Sequence, residues 1–90
     1  MKKYVIERDI AGVEGLCGDA LKGAAAMSNE ALAKLAPRVQ WLESFVTKDK
    51  TFCIYLADGE ESVREHARLS GFPANRISEV ARVLDPTTAG

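Results

Sequence analysis

The sequence predicts an α+β fold, a single four-stranded antiparallel sheet with two helices on one face. Three observations predict it. Short stretches rich in aromatic and β-branched residues alternate in polarity, as strands do. Two other stretches carry apolar residues at helical spacing. Their order along the 90 residues is strand, helix, strand, strand, helix, strand. A chain of this length builds one core, so residues 1–84 form one domain and residues 85–90 a C-terminal tail.

Each element has a local cause. Lys3 to Arg8, with Tyr4, Val5 and Ile6, alternates and reads as the first strand; Gly12 and Gly15 then mark a turn. Leu16, Ala20, Ala24, Met27, Ala31 and Leu35 recur at helical spacing, while Gly18, Gly23 and Ser28-Asn29 weaken the helix, so that Ser28 could cap a second, shorter one. Pro37 closes that region. Val39–Thr47 and Thr51–Ala57 are strand-like around the polar Lys48-Asp49-Lys50, which makes a hairpin. Asp58 and Glu61 have the spacing of a capping box and open the second helix, which Gly71 and Pro73 end. Arg76 to Leu84 is the last strand. Two right-handed βαβ units in this order make a ferredoxin-like plait.

Composition narrows the function. The charge balance is near neutral (net −1), with no block of Lys or Arg, which speaks against a nucleic-acid partner. No apolar run approaches the ~20 residues of a membrane span. The N-terminal MKKYVIERDI meets acidic residues too early for a signal peptide, so a cytoplasmic location is expected. Cys17 and Cys53 lack CxxC or Cys/His pairing and read as free thiols. No P-loop, GxGxxG, nucleophile elbow or Ser-His-Asp pattern occurs, and no catalytic residue is assigned.

If parity sorts the strand faces and no bulge intervenes, even residues such as Ile6, Leu42, Val46, Phe52, Ile54 and Leu56 pack on the helices. The odd set, Val5, Glu7, Trp41, Glu43, Phe45, Cys53, Tyr55, Ile77, Glu79 and Val83, then lies on the far face. Such an apolar face needs a cover, which predicts a homodimer packed sheet to sheet as an α+β barrel, with Trp41 at the interface. The enclosed Cys53, Tyr55 and carboxylates would suit a borderline or soft divalent metal. Cys53 reads alternatively as a small buried apolar residue and Tyr55 as a sheet aromatic. His66, with Val63, Ala67 and Ser70, lies on the sheet-facing side of the second helix, either as a packing residue or as a ligand. Glu65 and Arg68 read as solvated helix surface.

The segments YVIER, W-x-x-SFVTKDKTFCIY, REHAR-x-x-GFPANRISEV and V-x-DPTTA together resemble a family of small nickel-binding, ferredoxin-like domains, over nearly the whole chain. The resemblance implies a homodimer that binds nickel or a similar ion. Carried onto matching positions, it implies Cys53, Tyr55, Glu65 and His66 as ligands, with Glu7 and Glu79 as weaker additions. Glu43 stands where a histidine is common in that family, and Phe45 where a tyrosine is. Three functions are weighed: a dimeric metal-binding protein, a cofactor-free barrel enzyme doing acid/base chemistry with an unidentified small molecule, and an interaction module. The first is favoured.

Overall fold

The computed structural model describes residues Met1–Gly90 and orders them as the pattern requires: β1 Lys2–Asp9, α1 Asp19–Leu35, β2 Val39–Val46, β3 Lys50–Ala57, α2 Glu60–Ser70 and β4 Arg76–Glu79. A 3-10 turn at Val13–Gly15 precedes α1, and another at Pro86–Ala89 ends the chain. The strands form one antiparallel sheet in the order β2-β3-β1-β4. The consecutive hairpin β2–β3 is thus flanked by β1, and β4 closes the far edge.

The register decides which side chains meet. Tyr4 is opposite Tyr55 and Glu79, and Ile6 is opposite Cys53 and Ile77. Even residues of β1 therefore share a face with odd residues of β3 and β4. Side-chain parity alternates within a strand, but nothing obliges neighbouring strands to keep one numbering phase. A register shift between Trp41 and Glu43 reverses the phase once more, leaving Leu42 as the extra, 48% exposed residue.

This overturns part of the face assignment expected from parity. Cys53 and Tyr55 point to the helix layer, at 6% and 2% exposure, as does Ile77. Phe52, Ile54 and Leu56 go to the open face, beside Val5, Glu7 and Phe45. Trp41 is also on the helix side, half-buried against the core, with its indole N–H donating to Ser44 Oγ at 3.0 Å across the bulge.

The core lies between sheet and helices: Tyr4, Ile6, Leu35, Val39, Cys53, Tyr55, Ala57 and Val63, with Leu32, Trp41, Leu69, Ala74 and Ile77 packed on it. The α2 residues Ser62, Val63, His66, Ala67 and Ser70 make the buried stripe, at helical spacing. In α1 the buried residues are Ser28, Ala31 and Leu35, while Leu16 and Met27 of the expected stripe are 39% and 50% exposed. The helix runs unbroken through Ser28, so that residue caps nothing; its hydroxyl is taken by a tertiary partner instead.

The ends of α2 differ from expectation in one respect. Gly59 is the N-cap, without a side-chain bond, so the Asp58/Glu61 capping box does not form. Asp58 accepts instead from the Ser62 hydroxyl within the first turn. The C-terminal end is as expected: Gly71 adopts φ 79, a left-handed position that favours glycine, and its N–H donates to Ala67 O. The last strand is shorter than the sequence suggests, although Val80 N–H still bonds Lys3 O.

Candidate functional site

The polar side chains that a core of this size must accommodate are gathered in one place, under α2 and beside α1. Strand β3 points Thr51, Cys53 and Tyr55 into the helix layer, β1 points Arg8 there, α2 supplies His66 and α1 supplies Ser28. The imidazole of His66 is fully buried. Its Nε2 meets Ser28 Oγ at 3.1 Å, and its ring lies 4.9 Å from that of Tyr55, tilted by 53°. Its Nδ1 has no partner. Cys53 Sγ approaches Thr51 Oγ1 at 3.7 Å.

Arg8 is the unusual member. It is 2% exposed, and its Nε, Nη1 and Nη2 are all without hydrogen-bond partners. Its guanidinium carbon lies 5.8 Å from the Tyr55 ring centre and 5.9 Å from that of Phe72, so aromatic faces give it partial compensation.

The electrostatics follow from burial and from that cation. Burial, and then Arg8, pull the His66 pKa down to about 4, against which the Ser28 contact works only weakly. The ring is therefore neutral at pH 7. Burial raises the Tyr55 pKa although Arg8 opposes it, so the phenol keeps its proton. The cluster thus holds neutral imidazole, phenol and hydroxyls around one uncompensated positive charge.

Of the six side chains expected as metal ligands, Cys53, Tyr55 and His66 are brought to this cluster. Glu7 is on the open face, 3.5 Å from Lys50 Nζ. Glu65 is on the outer face of α2, paired with Arg68, which holds its carboxyl below the usual range. Glu79 is at the β4 edge, 3.4 Å from Lys2 Nζ. Nowhere do three or more His, Cys, Asp or Glu side chains converge as a metal cage.

The nature of the donors can be compared with what nickel needs. Thiolate and imidazole suit it. Here, however, the field that helps strip a proton from His66 opposes a dication with twice the charge, and burial disfavours the phenolate that would offset it. The buried cluster does not fit a divalent metal.

Carboxylates lie instead around an open groove of about 660 Å³ at the start of α2, lined by Asp58, Glu60, Glu61 and Glu65 with Ser62, Gly59 and a single cation, Arg38. No hydrophobic residue lines it. Glu60 and Glu65 are shared with Arg64 and Arg68, so Asp58 and Glu61 have the freer oxygens. A hydrated ion held by one or two carboxylates fits such a groove; an enclosed cage does not. A smaller cavity, about 130 Å³, lies between the helices at Met27, Glu30, Ala31, Lys34, Leu69 and Ser70.

Sequence reasoning missed two members of the buried cluster as functional groups, Arg8 and Ser28. The signal for Arg8 was present: it shares the phase of Tyr4 and Ile6 in β1, so a charge was due inside the helix layer. Ser28 had no such signal, because its role depends on α2 crossing α1.

Comparison with known proteins agrees with the fold. The family described as "Nickel responsive protein SCO4226-like" matches residues 4–80. The crystal structure of SCO4226 from Streptomyces coelicolor A3(2) superposes with a TM-score of 0.75 at 17% identity, covering 91% of this chain and 99% of that one. At that identity the likeness is one of fold. No curated protein matches the chain.

Proposed function

The chain belongs to the SCO4226-like family of nickel-responsive proteins, and on that premise we propose that it is a small homodimeric protein that binds nickel or a similar divalent ion through surface carboxylates. The observation that carries this reading is the α2 groove, with four carboxylates against one guanidinium and no apolar lining. Oxygen donors can hold a hydrated divalent ion by one or two contacts while water fills the remaining positions. Within the expected ligand set, Glu65 is the member at this groove. Glu7 and Glu79 are secondary surface carboxylates. Tyr55 and His66 sit too close to Arg8 to take the ion, and Cys53 is buried in the same layer.

The second half of the proposal is the dimer. The strand order with both helices on one side is read as a ferredoxin-like plait, whose open face presents Val5, Phe45, Phe52, Ile54 and Leu56. Phe45 alone is 53% exposed. A second copy packed face to face would remove this strip from water, and each buried aliphatic or aromatic side chain then gains on the order of 1.5–3 kcal/mol.

An enzymatic reading would need a roomy apolar cavity beside Tyr55 and His66. The larger cavity is lined by charged and polar residues, the smaller lies between α1 and α2, and neither includes those side chains.

Calorimetric titration of nickel tests the proposal. Wild type and the Cys53→Ala/His66→Ala variant give the same saturable heat, and Asp58→Asn/Glu61→Gln/Glu65→Gln weakens it at least about tenfold, roughly 1.4 kcal/mol. No heat from wild type removes nickel binding. Heat lost only in a folded Cys53→Ala/His66→Ala variant moves the ion to the buried cluster.

A further inference from the structure

Arg8 has no role in nickel binding, and its surroundings are not those of a structural ion pair. None of the five ion pairs in the chain includes it. Its sequence neighbours Glu7 and Asp9 point to the opposite face, where both approach Lys50. A guanidinium this deeply buried must find acceptors or bear a heavy desolvation cost. Two aromatic rings at 5.8 and 5.9 Å attract its charge but cannot accept its five N–H donors.

Other donors face the same region. The phenol of Tyr55 is protonated beside Arg8, Ser28 brings a hydroxyl, and His66 Nδ1 is buried without a partner. With Ser28 donating to Nε2, its hydroxyl proton is spent on the imidazole and Nδ1 carries the ring proton without a partner. The only oxygens near the guanidinium are therefore neutral hydroxyl and phenol groups, and no carboxylate pairs with its charge.

We propose that Arg8 anchors an internal anion site between the sheet and the helices, which takes a small planar oxyanion of the carboxylate type. The guanidinium fork offers two parallel N–H bonds to two oxygens in one plane. Arg8 lines neither cavity described above, so a ligand enters only where the packed side chains around the guanidinium give way, which restricts it to a few heavy atoms. A singly charged planar anion balances the single guanidinium; doubly charged tetrahedral phosphate would bring a surplus charge and a larger dehydration cost into the same space. Phe72, one of the two rings beside Arg8, lies in the short segment between α2 and β4, which belongs to no helix or strand.

The test titrates formate, acetate and nitrate, with chloride, sulfate and phosphate as comparisons at constant ionic strength, into wild type and Arg8→Met. Two readouts are taken, the thermal midpoint and the Arg8 Nε–Hε NMR resonance. The proposal expects a saturable rise of several degrees in wild type with a planar oxyanion and a matching shift of the Arg8 resonance. Arg8→Met should show no rise, and in chloride alone it should be at least as stable as wild type. An equal rise in Arg8→Met, or no saturable response in either readout, overturns it. Sulfate or phosphate moving the Arg8 resonance while planar anions do not overturns the ligand class. If Arg8→Met fails to fold, the wild-type resonance decides.

Discussion

At the scale of single residues, His66 carries the clearest consequence. Its folded pKa of about 4 lies below the ordinary 6.5, so between those values the unfolded chain binds the proton and the folded chain does not. Stability supplied by the neutral ring is complete above about pH 6.5 and is lost as pH falls toward 4, by up to about 3 kcal/mol. Thermal unfolding followed from pH 7 to 4 should show this decline, and His66→Gln should flatten it. Ser28→Ala leaves Nε2 without its partner at 3.1 Å. It should cost about 1–3 kcal/mol by denaturant titration. His66 was legible as a sheet-facing residue because Val63, Ala67 and Ser70 share its helical stripe. What the sequence could not supply was its company: the cation that helps keep it neutral, Arg8, comes from β1, and the Ser28 contact spans 38 positions.

At the scale of elements, strand and helix identities followed from local pattern, and the boundaries agree closely for β1, β3 and α2. The facing of the strands did not. Period-two alternation says which residues of one strand lie together, but the phase between strands is set by hairpin length and register. Here the polar loop at 47–49 and the bulge after Trp41 each fix that phase. The β1–β3 register, which sets Glu7 opposite Phe52 and Ile6 opposite Cys53, puts Cys53 and Tyr55 on the side away from Glu7. The consequence for chemistry is large: a thiol expected among carboxylates lies buried against the Thr51 hydroxyl in the helix layer. The same register puts Ile54 opposite Val5 and Glu43, in the middle of the open face.

At the scale of the molecule, that open face gives the dimer its test. Ile54→Glu inserts a charge into the middle of the apolar strip, which no neighbouring cation on β1 or β2 directly opposes. Light scattering should find wild type as a dimer and Ile54→Glu as a monomer of unchanged circular dichroism; a wild-type monomer at tens of micromolar would contradict the assembly. Charge is also partitioned across the whole chain. Its buried layer holds a cation without an anion, and its groove at the start of α2 holds anions with little cation. A net charge of −1 gives no hint of that separation, which exists only after folding.

The most direct measurement is anomalous scattering at the nickel edge from crystals grown with the ion. The account predicts density in the groove at the start of α2, within reach of Asp58, Glu61 or Glu65, and none between Cys53, Tyr55 and His66. A nickel peak bound to His66 Nδ1 or Cys53 Sγ would contradict it.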